Sequence, residues 1–113
     1  MIYTGYFAKM KSYPQELRKI SIARWTPKGI DIEKYTKLMP PETILTFYKN
    51  TGNETDYRTE FNAMLKRLNA KQIYNELDGS ILLCYEKPEN FCHRHLIADW
   101  FNQNGFQCEE YKT

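Results

Sequence analysis

The spacing of apolar residues changes rhythm along the chain, and the change marks out its elements. Ile2 to Ala8 (IYTGYFA) is aromatic and rich in residues that favour extended backbone, which predicts a first strand. Lys9 to Pro14 is polar and closes on a proline, so it reads as a loop. Ile20 to Trp25 (ISIARW) predicts a second strand, stopped by Thr26-Pro27-Lys28-Gly29. From Pro40-Pro41 the period becomes helical. Proline suits a helix's first turn, and Ile44, Leu45 and Tyr48 share one face until Thr51-Gly52. A second helix starts at Asn53 to Thr55 and carries the stripe Tyr57, Phe61, Met64, Leu65, Leu68. Asn69 and Gln72 have capping-box spacing for a third, short helix that holds Ile73, Tyr74 and Leu77 and stops at Asp78-Gly79.

Ser80 to Tyr85 (SILLCY) is apolar without alternation. Such a run suits a central strand covered on both faces, as in a parallel sheet between helices. Beyond Glu86-Lys87-Pro88-Glu89, Asn90 is placed to cap a helix running to about Asn104 and ending at Gly105. Its buried stripe is Leu96, Ile97, Trp100 and Phe101. Phe106 to Tyr111 is the last predicted strand, expected beside Ser80–Tyr85 through a right-handed crossover. The expectation is a single compact α/β domain over residues 1–113, with a small, mostly parallel sheet flanked by helices.

Composition narrows the function classes. The 16 basic and 14 acidic residues leave a net charge of +2, without the basic excess of a dedicated nucleic-acid binder. Met1 to Phe7 lacks the charged head and long apolar run of a signal peptide, and no stretch has the length of a membrane span. The three cysteines are an odd number without a secretory signal, which argues against a disulfide framework. These features predict a cytoplasmic, reduced protein with no membrane partner. Nothing in them sets an oligomeric state.

Chemistry concentrates between Ile81 and Trp100. Cys84 and Glu86 fall at the carboxyl end of the buried strand, and Cys92, His93 and Arg94 fall in the next helix's first turn. Open α/β sheets bind ligands at that rim. A helix start presents free N–H groups and a positive dipole end, which attract anions and favour a thiolate, so Cys92 is the expected reactive thiol. Arg94 offers a planar fork to a phosphate or carboxylate. Glu86 has the chemistry to exchange a proton or to hold Arg94. Each residue also has a plainer reading: Cys84 as a core side chain, Cys108 as a structural residue on an edge strand, and Arg94 as a tie to Glu86. His93 and His95, two positions apart, predict one ring facing solvent. A thiol-phosphatase loop would need arginine where Asn90 stands. Cys84, Cys92, His93 and Cys108 supply zinc-ligand types, but a seven-residue first gap and the lack of Cys-x-x-Cys argue against a metal. No metal and no cofactor are therefore expected.

The string LLCYEKPENFCHRHLIADW resembles the signature of the DUF488 family (domain of unknown function 488), in which a strand ending Cys-x-Glu leads into a Cys-His-Arg helix start. The family pattern also has a strand that ends near an arginine and a proline. Ile20 to Pro27 (ISIARWTP) is similar, with Arg24 in the arginine position, and Tyr57 and Phe61 are similar to an aromatic helix in the family's middle. The resemblance spans nearly the whole chain, strongest in its C-terminal third and weakest between Ile30 and Asn53. It implies a compact α/β sandwich with a mostly parallel sheet, and it implies no particular reaction.

The reading that joins these features is an enzyme or enzyme-like pocket for an anionic ligand, with nucleotides or nucleic-acid pieces the favoured class. Arg24, Arg94 and Cys84 would contact the ligand, while Cys92, His93 and Glu86 would form the reacting centre. One rival is a non-catalytic interaction module in which the same residues form a structural polar cluster. Another is a nucleic-acid binder using Lys9, Lys11, Arg18, Lys19, Arg24 and Lys28 with Tyr6, Tyr13 and Trp25. Arg94 separates the first two: partly exposed in a pocket, buried against Glu86 in a scaffold.

Overall fold

A computed structural model describes residues 1–112. Five parallel strands form one sheet: β1 (Ile2–Tyr6), β2 (Arg18–Ser21), β3 (Glu33–Lys34), β4 (Ser80–Cys84) and β5 (Cys108–Glu110), in the order β3-β2-β4-β1-β5. Four helices connect them: α1 (Glu42–Thr51), α2 (Glu54–Lys66), α3 (Ala70–Leu77) and α4 (His93–Gln103). No helix among the described residues is long and apolar enough to cross a membrane.

The apolar run at β4 becomes the centre of the sheet, and all five of its residues are buried. It pairs with β1 from Tyr3↔Ile81 to Tyr6↔Cys84 and with β2 from Arg18↔Ser80 to Ser21↔Leu83. Alternate side chains go to opposite faces. Leu82 and Cys84 join Ile2, Ile20 and Ile22 under the helices, where Phe61, Leu65, Ile97 and Phe101 complete the main core. Ile81 and Leu83 face the other way, onto Phe7, Tyr13 and Ala23. That second face is covered by a 3-10 turn (Phe7–Ser12) and by loops rather than by α-helices. Close packing there requires Gly5, since a Cβ would lie 2.7 Å from the Tyr13 hydroxyl.

The structure bears out the α/β class and sharpens the sheet from mostly to wholly parallel. It corrects several details. Lys9 to Ser12 belongs to the 3-10 turn rather than to an open loop. The second strand lies over Arg18–Ser21: its ladder with β4 ends at Ser21↔Leu83, and after a last bond from the Ile22 N–H to the Leu83 carbonyl at 3.1 Å the chain turns away. Asn90 does not cap α4. Its N–H closes a turn onto the Lys87 carbonyl at 3.0 Å, and Cys92, extended at φ −154° and ψ 145°, takes the capping position. The last strand pairs with β1, Ile2↔Cys108, not with β4, both of whose sides are already taken by β1 and β2. At Asn69 the expected cap is present, its side chain accepting the Gln72 N–H at 3.0 Å.

Candidate active site

The carboxyl rim of the sheet brings together residues from three segments. Cys84 is the last residue of β4, Cys92 and His93 open α4, and Ile22 follows the end of β2. The His93 ring spans them. Its Nε2 lies 2.8 Å from the Ile22 carbonyl oxygen, which can only accept, so Nε2 carries a proton and donates. In the neutral ring Nδ1 is then an unprotonated lone pair. That nitrogen faces both thiols, at 3.8 Å from Cys84 Sγ and 3.8 Å from Cys92 Sγ. Phe61 of α2 packs edge-on to the ring with centroids 5.5 Å apart and fixes its plane. His93 is buried and His95 half-buried, so neither ring of the pair faces solvent fully.

The two thiols differ electrostatically. Contact with Cys84 holds the Cys92 proton affinity well below that of an ordinary thiol, and the Arg94 backbone N–H adds to this, against the opposing effect of burial. The same contact, then burial, pushes Cys84 upward. The two thiols therefore titrate as a pair, with proton affinity pushed down at Cys92 and up at Cys84. Cys108 stands apart on β5, where burial pushes its thiol up to about 12.

Above this cluster opens a pocket of about 450 Å³, with Cys84, Cys92 and His93 among its lining residues. Its walls are aromatic: Trp25, Tyr48, Tyr57, Tyr85 and Phe91. Trp25 and Tyr85 are 52% and 49% exposed, unusual for such large rings, and the Tyr85 hydroxyl donates to the Trp25 carbonyl at 2.6 Å. Two cations reach the pocket. Arg24 is steadied through Nε, which donates to the Pro40 carbonyl at 3.0 Å, while its terminal nitrogens make no bond to the described residues. Lys49 of α1 sits 5.5 Å from the Trp25 ring centroid. Glu86 is exposed on the same wall.

Arg94 is not in the pocket lining. It is 0% exposed and pairs two-pronged with Glu110 of β5, Nε and Nη2 each 3.0 Å from a carboxylate oxygen. Thr4 donates to the same carboxylate at 2.6 Å, and the Tyr6 ring lies 5.8 Å from the guanidinium carbon. Burial alone would lower the Arg94 proton affinity, but the Glu110 bond and the two thiols raise it overall. Full burial is what the scaffold alternative expected of Arg94 and not what the pocket reading expected, and the partner is corrected from Glu86 to Glu110. Glu86 projects to the solvent side of the rim, whereas β5 runs beneath the start of α4. Sequence reasoning also missed Lys49, Tyr48 and Phe91 as pocket residues. No local pattern distinguishes them from an ordinary helix face or loop.

A family model described as the active DUF488-N3 subclade matches residues 4–105. The chain belongs to the DUF488 family. No curated protein and no solved structure matches it. The matched span of the DUF488 domain covers β2, β3, β4 and β1 from Thr4 onward, together with all four helices and the whole cysteine–histidine cluster, and stops before β5.

Proposed function

We propose that this DUF488 protein is an enzyme whose pocket takes an anionic ligand carrying a planar ring, a nucleotide or nucleotide-like fragment, and whose reacting centre is the cluster of Cys84, Cys92 and His93. One observation carries the reading. A single pocket joins a polar, unsaturated floor to two cations and a set of aromatic walls. Aromatic faces stack on planar rings at about 1–3 kcal/mol each. Arg24 and Lys49 supply charge for a phosphate or carboxylate, and Arg24 keeps its planar fork free. Glu86 stands at the mouth, where a carboxylate takes or returns a proton. Arg94 supports the floor from beneath by fixing the start of α4 through Glu110. The description of the matching subclade as active agrees with an enzymatic role.

The test is binding of nucleoside monophosphates, nucleosides and inorganic phosphate by calorimetry and thermal shift, because a ligand of the folded state raises apparent stability. Monophosphates are expected to bind more tightly than either nucleoside or phosphate alone, with affinity falling as salt rises. Absence of binding by all three classes, or preference for the uncharged nucleoside, would sink the proposal.

A further inference from the structure

Spacing along the chain argues against a metal, and the geometry reverses that argument. Three donor atoms, Cys84 Sγ, Cys92 Sγ and His93 Nδ1, lie within 4.8 Å of one another, all on buried residues. A zinc ion with Zn–S near 2.3 Å and Zn–N near 2.0–2.1 Å in tetrahedral geometry separates a sulfur from a nitrogen by about 3.6 Å. Both S···N distances here are 3.8 Å. The same distances are long for hydrogen bonds, and a thiol is a weak donor. One Nδ1 lone pair also cannot satisfy both thiols.

The surroundings fit as well. His93 gives its other ring N–H to the Ile22 carbonyl, which fixes the tautomer and turns the Nδ1 lone pair to the sulfurs, an arrangement usual for metal-bound histidines. A dication with two thiolates and a neutral imidazole sums to zero charge, so the assembly suits a buried site where an isolated ion would not. The three donors come from two elements packed against each other, the end of β4 and the start of α4, so they are gathered within 4.8 Å of one another by the fold itself. All three residues line the pocket. The fourth tetrahedral position therefore opens toward the space assigned to the ligand.

We propose that Cys84, Cys92 and His93 bind one zinc ion, three protein ligands with the fourth position open to the pocket for water or a ligand oxygen. Two cysteines and one histidine with an open position form a ligand set used by catalytic zinc, whereas structural zinc sites close all four positions. Binding of the ion stands on the donor geometry alone. Its use as the Lewis acid of the reaction rests on the pocket reading given above.

The experiment is metal titration of reduced, metal-stripped full-length protein. Zinc is followed by competition with a chromophoric chelator, and cobalt(II) by absorption. Binding of one zinc per chain is expected, and cobalt should give the intense visible bands of a tetrahedral site with a thiolate-to-cobalt charge-transfer band in the near ultraviolet. Cys84→Ser, Cys92→Ser and His93→Ala should each weaken zinc by more than the roughly 100-fold that losing an outer partner of a ligand typically costs. Cys108→Ser should leave zinc affinity unchanged. The wild-type cobalt spectrum decides the matter even where a variant folds poorly. Weak octahedral cobalt bands, or zinc affinity lost on Cys108→Ser, would overturn the proposal. Monophosphate binding by the metal-free protein alongside such a failure would refute the zinc site and spare the pocket reading. Tight zinc with no anion binding would do the reverse.

Discussion

Two polar clusters flank the start of α4, and they have opposite characters. On the pocket side, Cys84, Cys92 and His93 converge with lone pairs that the surrounding protein leaves poorly satisfied. Beneath them, Arg94, Glu110 and Thr4 satisfy one another, with Arg94 fully buried, Glu110 partly so, and only Arg94 Nη1 lacking a partner. Consecutive residues, His93 and Arg94, thus serve different ends because successive positions on a helix point about 100° apart. Buried polar groups that complete each other's bonds hold a fold together, while those that keep bonding capacity beside a cavity are available to a ligand. Charge and residue type alone do not separate the two. Both clusters would pass for a binding site on a list of side chains.

The comparison breaks most visibly at Arg94. Arg94→Ala leaves Glu110, 19% exposed, without its cation. Breaking such a pair from one side costs roughly 3–5 kcal/mol of folding stability, a large share of the total for a small domain. Urea melts of wild type, Arg94→Ala and Arg94→Lys measure it, with lysine intermediate because it keeps charge but loses the two-point contact. A loss below about 1 kcal/mol for Arg94→Ala would show that this cluster is not a brace.

Arg24 gives the opposite signature. It is half-buried, bonded once to backbone, and otherwise directed to the pocket. Arg24→Ala should weaken monophosphate binding by about 1.5–3 kcal/mol, the range for hydrogen bonds to charged groups, and cost about 1 kcal/mol or less in stability. Calorimetry at two salt concentrations, paired with a melt, reads both numbers. A stability loss as large as that of Arg94→Ala would merge the two clusters into one structural network.

Much of this architecture was legible before any coordinates. The helices α2 and α3 follow from stripes at helical spacing, and β4 from an apolar run without alternation. The Asn69 cap followed from a side chain placed three residues before a free N–H. What escaped depends on contacts distant in sequence. The neighbour of β5 is decided by which sides of β4 are already taken, and β3 is two exposed, charged residues, Glu33 and Lys34, with no apolar signature. Arg94's partner lies sixteen positions away on another strand. The cysteine–histidine cluster itself was named from sequence, and only its fitness for a metal was argued away. Spacing rules for zinc assume ligands from one loop, whereas Cys84 and Cys92 are joined across a strand end, a turn and a helix start. Asn69→Ala supplies a measure independent of both clusters: loss of its bond to the Gln72 N–H should cost about 1 kcal/mol in a urea melt. A cost near zero would mean that α3 is held by Ile73 and Leu77 packing alone.

The smallest effect is also the most specific. The structural alternative read from sequence pairs Arg94 with Glu86, and the structure pairs it with Glu110. The two carboxylates therefore predict opposite results for the same chemical change. Glu86 is exposed and forms no ion pair among the described residues, so Glu86→Gln should change stability by no more than about 0.5 kcal/mol, as expected at surface positions. Glu110→Gln keeps the shape but removes the charge facing a fully buried guanidinium, so it should cost several times as much. A double-mutant cycle between Arg94→Ala and each glutamate completes the comparison. Coupling should be well above 0.5 kcal/mol with Glu110 and near zero with Glu86. Coupling of Arg94 to Glu86 would mean that the brace runs through the carboxylate on the pocket wall rather than through β5. Without it, any effect of Glu86→Gln on turnover belongs to the pocket, since the change leaves the brace beneath intact.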